Sequence, residues 1–461
     1  MFRSIANTFS NCFKIPELKS RIIFTVVVLA VCRLTAYIHI PGLDAPTLNK
    51  AVDDAQRAGG GGAFGLLSAF SGGAIQNCAI GALTIIPYIS ATIIIQLLTA
   101  VVPQLSKMAR EEGGRAKIVQ YGRYLTVLLC LGQGMLTAIG YEHPETVLQL
   151  KLPHSLVLYP ESWIWWYRIQ TTIVLTTGTM LLMWLGEQIT DRGIGNGVSL
   201  IITINILSRL PNAFVGVHDM FSGSGPEMKA NIVHGIALLL LLAGVIAGII
   251  AVTQAQRKIP VTYAQRAVGR KVYAGGTNYM PLRVNYAGVM PVIFAQSILM
   301  FPQKIAQYLG KLFNLKFFTD ISMHLDYGAG WYLAIFALLI LFFSYFWVAT
   351  QFNELQIADD LKKNGGYIPG VRPGQATSDY LHNTMSRITL AGAVFLVIIS
   401  VIPIILGRVM HVPMQVSQFF GGTSMLIAVG VMLDTMRQME SHLLMRHYDG
   451  FLKKGKLKGR F

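Results

Sequence analysis

The chain has 461 residues, of which 53% are hydrophobic and only 13% are charged, and its formal net charge is +16. This composition excludes an ordinary soluble domain and indicates a polytopic membrane protein. In such a protein an excess of Lys and Arg reports loop topology before it suggests nucleic-acid binding. The four cysteines, Cys12, Cys32, Cys78 and Cys130, lack CxxC or Cys/His spacing, so reduced thiols without a metal or disulfide are predicted.

The N-terminal segment 1–21 is polar and basic, and the first apolar run has no small-residue cleavage site, so no cleaved signal peptide is expected. Ten apolar runs, most of them about 20 residues long, predict membrane spans. In chain order they are 22–40, 79–102, 119–140, 168–186, 198–211, 233–253, 287–308, 331–351, 388–407 and 418–437.

The distribution of Lys and Arg sets the predicted orientation. With the N-terminus in the cytoplasm, the cytoplasmic segments together with the adjoining span ends hold 27 of the 38 Lys and Arg residues. Both termini are then cytoplasmic. The predicted division is an N-terminal half at 22–211, an external hinge loop at 212–232, a C-terminal half at 233–437 and a basic tail at 438–461.

The stretch between the first two spans is unusual. A glycine run at 59–62 precedes an apolar segment at 63–75, which is too short to span a bilayer and is typical of a re-entrant helix. The following span, 79–102, holds Pro87 in its middle. Irregular backbone at membrane depth is tolerated only where protein buries it or where it lines a cavity. These features predict a cavity with a short helix on glycine hinges seated in it.

Two predicted cytoplasmic loops, 254–286 and 351–387, are long and basic. Loops of this length are usually functional or disordered. Their charge has two interpretations, the positive-inside rule alone or the binding of an anionic partner such as ribosomal RNA. Arg372 favours the second, because it lies between Val371 and Pro373 in a turn-rich segment that would present one cation at a defined place.

The two halves contain a weak internal repeat. Residues 86–91 of span two resemble residues 290–295 of span seven, and residues 197–202 of span five resemble residues 422–427 of span ten. An offset of five spans makes the second half inverted, and inverted repeats typically place the functional site near the midplane at their interface.

The repeat pairs Ile89 with Ile293 and Ile202 with Ile427, and Ile85 lies one helical turn from Ile89. Five isoleucines could therefore converge into a hydrophobic constriction that gates by excluding water. The alternative is that they are ordinary lipid-facing or core residues.

The sequence also argues against other functions. Apart from Arg33, no ionisable residue lies in the middle third of a predicted span, whereas ion-coupled transporters normally need such residues. There is no P-loop, HExxH or GxSxG motif, so neither an enzyme nor a cofactor is expected.

Several long segments carry a family resemblance. They include TIIPYISATIIIQLL at 84–98, GTMLLMWLGEQITDRGIGNGVSLII at 178–202, LRVNYAGVMPVIFAQSI at 282–298, LKKNGGYIPGVRPG at 361–374 and FGGTSMLI at 420–427. Through these segments the chain resembles the SecY family, the central subunit of the protein-conducting channel, over nearly its whole length. It departs from the usual pattern at Thr84, where glycine is commoner, and at Gln296, where a small residue is usual.

The resemblance implies an all-α membrane fold of ten helices in two inverted halves, with a short re-entrant plug helix. It implies a channel that passes unfolded secretory polypeptides and releases hydrophobic segments sideways into lipid. This gated conduit is favoured over two alternatives, a secondary transporter of small solutes, which the scarcity of mid-span charges disfavours, and a scaffold that only recruits ribosomes. The implied partners are the small subunits SecE and SecG, the SecA motor, the ribosome, polypeptides with signal sequences, and membrane lipid. The implied location is the bacterial inner membrane, with a plastid homologue as the alternative.

The resemblance also implies roles for particular residues. The pore ring would consist of Ile85, Ile89, Val198, Ile202, Ile293 and Ile427. The plug at 63–75 would present Phe64, Leu66, Leu67, Phe70 and Ile75. Ser90 and Phe301 fall on positions of the lateral gate, and Arg270, Lys271 and Arg372 on positions that dock the ribosome or the motor.

Overall fold

The fold comes from a computed structural model. The backbone is described for residues 15–57, 68, 71–111, 113–144, 156–222, 232–263, 266–268, 271–273, 277–312, 316–325, 329–409, 416 and 423–454. The chain divides into two compact units. Unit 1 comprises Met1–Ala230, Pro413–Phe419 and Ile427–Phe461, and unit 2 comprises Asn231–Val412 and Phe420–Leu426.

Unit 1 is helical in its described part. Its helices are α1 (Pro16–Leu34), α2 (Ala45–Arg57), α3 (Ile86–Val101), α4 (Pro103–Arg110), α5 (Gly114–Glu142), α6 (Ile164–Arg192), α7 (Gly197–Leu207) and α8 (Leu210–Ser222), with a 3-10 turn at Glu161–Trp163. Most of the last helix, α15 (Thr423–Lys454), also belongs to this unit.

Unit 2 combines helices with short strands. Its helices are α9 (Ile232–Gln254), α10 (Met290–Leu312), α11 (Lys316–His324), α12 (Gly330–Gln351), α13 (Glu354–Lys363) and α14 (Gln375–Val409). Its strands are β1 (Gln256–Tyr263), β2 (Arg266–Val268), β3 (Lys271–Tyr273), β4 (Thr277–Arg283) and β5 (Gly366–Tyr367).

The helices identify a multi-pass membrane protein. In the described part of the chain, six helical segments are long and apolar enough to cross a bilayer, and they coincide with predicted spans three to six, eight and nine. The count is seven if Ile86–Val101 and the helix after it, bent by 104°, form one broken span. Helices α1, α10 and α15 occupy the other three predicted spans without meeting the same requirement, so a total of ten stays a prediction.

The second predicted span differs from expectation. Residues 80–85 form turns, and α3 begins only at Ile86, so Pro87 lies in the first turn of the helix and not in the middle of a span. Proline is favoured there because the first N–H groups of a helix have no intrahelical partner and its fixed φ suits the helix. Pro103 starts α4 in the same way, which explains the sharp bend after Val101.

The predicted hinge and halves also need correction. Residues 212–222 belong to helix α8 and are not a loop, whereas 223–231 lie outside the described residues. The division between units at Ala230 falls within the predicted hinge region. Residues 427–454, however, group with unit 1 and not with the C-terminal half, because α15 packs there: Leu18 and Ile194 form a core cluster with Met439 and Leu443.

Helices α5 and α6 form a hairpin joined by ion pairs near both ends. Arg123 pairs with Glu187, with an Nη2–Oε2 distance of 2.8 Å. Toward the other end, Arg168 binds Glu142 through two hydrogen bonds of 2.9 Å each. Between them the helices pack closely: an added Cβ on Gly134 would lie 3.3 Å from a Thr172 methyl carbon. Four of the charged residues near the ends of these spans are therefore paired with each other.

Candidate functional site

The start of α3 positions two of the predicted ring residues. Thr84 has a φ of +57°, which is rare for a β-branched residue, and its hydroxyl accepts a hydrogen bond of 3.2 Å from the Ile86 N–H. This left-handed residue turns the chain into α3, with Ile85 at its cap and Ile89 one turn later. Glycine adopts a positive φ without strain, which explains why glycine is commoner than threonine at this position.

The ring residues of unit 1 are largely buried. Ile85 is 1% exposed, Ile89 and Ile202 are each 5% exposed, and Ile427 is fully buried, whereas Val198 is half-buried. The structure brings Ile85 and Val198 to the same place on α6: a Cβ on Gly186 would lie 3.6 Å from Ile85 Cδ1 and 3.6 Å from the Val198 nitrogen.

Ile293 is the ring residue that belongs to unit 2, where it is 4% exposed. One residue further, Phe294 makes edge contacts with Phe343 and Trp347 of α12. The unusual Gln296 is buried and accepts a 2.9 Å hydrogen bond from Thr423 through its Oε1. A closed constriction and an ordinary core both bury aliphatic side chains, so the ring of six stays a prediction.

The predicted plug is described only in its C-terminal part. Phe64, Leu66, Leu67 and Phe70 lie outside the described residues. Ile75 is buried in a core cluster, and its carbonyl accepts a 3.1 Å hydrogen bond from the Tyr141 hydroxyl. The prediction of helix up to Ile75 is wrong, because residues 72–75 form turns in which two glycines have φ of +58° and +92°.

Arginine contacts to this segment are a feature that the sequence did not reveal. Arg33, in the last turn of α1, donates from Nη2 to the Gly72 carbonyl at 2.7 Å. Arg209, just after α7, donates to the Ser68 hydroxyl and, at 2.6 Å, to Gln76 Oε1. The partners lie 39 to 141 residues apart, and the only hint in the sequence was that both arginines lie in the second halves of predicted spans one and five, toward the side of the plug loop.

The structure describes one of the two predicted lateral-gate residues, Ser90, completely and the other, Phe301, only in its backbone. Ser90 is buried, and its hydroxyl donates a 3.1 Å hydrogen bond to the Ile86 carbonyl within α3. The backbone of Phe301 lies in α10, one residue before Pro302, and its side chain lies outside the described residues. The gate assignment therefore stays a prediction.

The two long loops contain strands that the sequence analysis did not predict. Strand β1 pairs with β4 in antiparallel register, Gln256 opposite Arg283 through Thr262 opposite Thr277. The second loop adds β5 on the other side of β1, with Thr262 opposite Tyr367 and Tyr263 opposite Gly366. We call β4, β1 and β5 the loop sheet. It joins the two loops into one structure.

A hydrophobic cluster supports the loop sheet. Ile259 and Val261 of β1 and Leu282 of β4 pack with Ile368, with Val348 of α12 and with Leu381 of α14. The alternation Lys-Ile-Pro-Val at 258–261 places the apolar side chains inward and Lys258 outward. That alternation was the signal for a strand in the sequence.

The docking residues are placed unequally. Arg270 lies outside the described residues, and Lys271 is described only as backbone of β3. Arg372 is exposed, and its carbonyl accepts a 2.8 Å hydrogen bond from the Thr377 hydroxyl. Its turn is fixed by positive φ values at Gly370 and Gly374. Further exposed cations on the two loops are Arg257, Lys258, Arg283, Lys362, Lys363 and Arg387.

The residues described give little support for a disulfide or a metal site. Cys32, Cys78 and Cys130 are buried free thiols, and Cys12 lies outside the described part. No group of three or more His, Cys, Asp or Glu residues in that part could hold a metal ion. The described features are those of buried helices and a basic loop surface.

Comparison with known proteins decides the family. The family model for SecY matches residues 79–436. The chain belongs to the SecY family. A Protein translocase subunit SecY from Chlamydia trachomatis is 43% identical over 465 residues, covering 98% of this chain and 99% of the relative. The Escherichia coli K12 subunit of the same name is 41% identical and covers 96% of each chain. Family membership confirms the prediction that the chain is a channel subunit and not an enzyme.

Solved structures share the fold of this SecY-family chain. A structure described as that of a protein conducting channel has a TM-score of 0.61 at 18% identity, covering 94% of this chain and 96% of the other. Sec61 in a canine ribosome-channel complex has a TM-score of 0.58 at 17% identity, with the same coverage. This likeness confirms the predicted class of all-α polytopic membrane fold, to which the small loop sheet is an addition.

Proposed function

We propose that this chain is the protein-conducting channel of a translocase, through which unfolded polypeptides cross the membrane and from which hydrophobic segments leave into lipid. The observation that carries the proposal is the full-length similarity to subunits named Protein translocase subunit SecY. The multi-pass helices supply the membrane context. A solved neighbour is described in terms of a plug domain that stabilises the closed channel and maintains a membrane seal.

The constriction of this channel is assigned to Ile85, Ile89, Val198, Ile202, Ile293 and Ile427. Branched aliphatic side chains can exclude water when closed and can surround a moving chain without recognising its sequence. The approach of Ile85 and Val198 to the same glycine, Gly186 of α6, supports this assignment. The plug at 63–75 seals the closed state, and Ser90 and Phe301 border the lateral exit.

Energy for transport must come from a partner, because the sequence has no nucleotide-binding motif. The loop sheet and the Arg372 turn offer a rigid, cationic docking surface for a ribosome or for the SecA motor. Two solved neighbours are a canine Sec61 channel in a ribosome complex and a yeast Ssh1 complex bound to an 80S ribosome. SecE and SecG are proposed as small membrane subunits.

The proposed location is the bacterial inner membrane, with both termini in the cytoplasm. The Lys and Arg asymmetry supports the orientation. The bacterial origin of the similar subunits supports the compartment.

The channel is tested by a photo-crosslinking residue at Ile89 in the assembled translocase while an arrested secretory chain is translated. We expect crosslinks from the mature part of that chain to Ile89. The matched control is Ile173, an exposed isoleucine of α6, which should give lipid or no adducts. Crosslinks at Ile173 equal to those at Ile89, or none at Ile89 in a complex that has formed, would contradict the ring.

A further inference from the structure

Two arginines, one in α1 and one just after α7, converge on a short segment that comprises the C-terminal part of the predicted plug and the two residues after it. We call Ser68 and residues 71–77 the plug arm. The arm follows the glycine run and leads into α3 through turns. Its residues are almost all buried, including Ser68 and Ser71 at 1% exposure each. The arm, Arg33 and Arg209 all belong to unit 1.

Arg33 and Arg209 bind the arm through neutral groups. Arg33 donates to the backbone carbonyl of Gly72, and its guanidinium lies 5.2 Å from the ring centroid of Tyr37. Arg209 reaches both sides of that glycine, to Ser68 and to Gln76. Hydrogen bonds from a charged donor are stronger than neutral ones, yet a carbonyl, a hydroxyl and an amide hold a cation less firmly than a buried carboxylate. Such contacts can hold the arm and still be broken reversibly.

The arm passes so close to the arginines that glycine is required. Gly72 has a φ of +58°, and a Cβ there would lie 2.5 Å from Arg33 Nη1 and 2.9 Å from the Asn205 carbonyl oxygen. A Cβ on Gly73 would lie 3.2 Å from Arg209 Nη2. The arm therefore fits closely between the C-terminal ends of α1 and α7, two helices that contact each other.

The position of the arginines lets them remain when the arm leaves. Arg33 is in the last turn of α1, and Arg209 follows the C-terminus of α7 by two residues. A cation is favoured at a helix C-terminus, where the macrodipole is negative. The dipole of α1 therefore stabilises the Arg33 cation whether or not the arm is bound, whereas Arg209, which lies between α7 and the start of α8 at Leu210, is held in place by those helices and not by the arm.

We propose that Arg33 and Arg209 form a latch, a pair of positioning residues that hold the plug arm closed and thereby set how readily a signal segment can open the channel. This inference rests on the proposed channel function. The resting seal then depends on polar contacts with the arm as well as on the apolar ring. The selectivity of the channel for intact signal sequences depends on how many arginine contacts the arm makes.

The test measures resting ion conductance of the assembled translocase in planar bilayers, and export of substrates with intact and with defective signal sequences. The variants are Arg33→Ala, Arg209→Ala and the double variant. A single charge-assisted hydrogen bond can change an equilibrium by about tenfold. We expect a rise of about tenfold in resting conductance for each single variant, a larger rise for the pair, and export of substrates with defective signals.

Lys50→Ala is the matched control, because Lys50 is an exposed cation on α2, in the same predicted external segment as the arm. It should leave conductance and selectivity unchanged. Gly72→Ala should imitate the arginine variants by displacing the arm. If the arginines had only a structural role, their variants would lower the yield of complex and all export together, and would not export substrates with defective signals. That result would overturn the latch.

The wild-type complex separates the two hypotheses. If it does not export a substrate with an intact signal, the channel function itself fails. If it does so and the assembled arginine variants remain as tight and as selective as wild type, the channel stands and the latch is wrong.

Discussion

At the scale of single residues, Thr84 shows how a departure from the family pattern is accommodated. A β-branched residue at φ +57° is strained by about 1–2 kcal/mol relative to the right-handed region. The hydrogen bond from the Ile86 N–H to its hydroxyl offsets part of that cost and occupies one of the free donors at the start of α3.

We expect Thr84→Val to lower the free energy of unfolding by about 1 kcal/mol, because it keeps the strain and removes the hydrogen bond. Thr84→Gly should change stability less, since the relief of strain compensates for the lost bond and for greater flexibility of the unfolded chain. Thermal unfolding of the purified protein in one detergent would rank them. A Val variant as stable as wild type would show that the hydroxyl contributes nothing.

At the scale of elements, the α5–α6 hairpin carries two ion pairs in different surroundings. Glu142 and Arg168 have side chains that are 9% and 19% exposed, whereas those of Arg123 and Glu187 are 47% and 21% exposed. Removing one partner of a buried pair leaves an uncompensated charge, and exposed pairs contribute little. The two ends of the hairpin should therefore differ in their sensitivity to mutation.

Glu142→Gln is expected to cost about 2 kcal/mol, less than a fully buried pair, and Glu187→Gln less than about 1 kcal/mol. Both remove one negative charge from the same hairpin, so each serves as the control for the other. The measurement is the midpoint of thermal unfolding at constant detergent and salt. Equal shifts would mean that burial does not decide the strength of these pairs.

Sequence patterns predicted the elements unequally. Apolar run length located the long spans, because a bilayer imposes that length directly. It failed at residues 80–85, which are apolar like the following helix but contain Thr84 in a left-handed conformation. The strands of the loop sheet were missed because β1 begins with polar and charged residues and contains Pro260, and because its partner β5 lies about 100 residues away. The plug-arm contacts of Arg33 and Arg209 were equally non-local.

At the scale of the whole molecule, the Arg372 turn is the best described part of the proposed docking surface. We expect Arg372→Glu to reduce motor-driven export severely while leaving thermal stability within about 0.5 kcal/mol of wild type, because an exposed side chain contributes little to folding. Arg387→Glu, also exposed and basic, tests whether charge alone matters. Normal export by purified complexes carrying Arg372→Glu would remove this turn from the docking surface.

The loop sheet has a mechanical consequence. Strand β1 is attached directly to α9, β4 leads into α10, and β5 lies between α13 and α14, so one small sheet ties together the ends of several helices. A load applied to the Arg372 turn passes through the hydrophobic cluster into α12 and α14 and through the strands into α9 and α10. The pull of a bound motor would therefore be shared among four helices of unit 2, so no single span has to resist it alone.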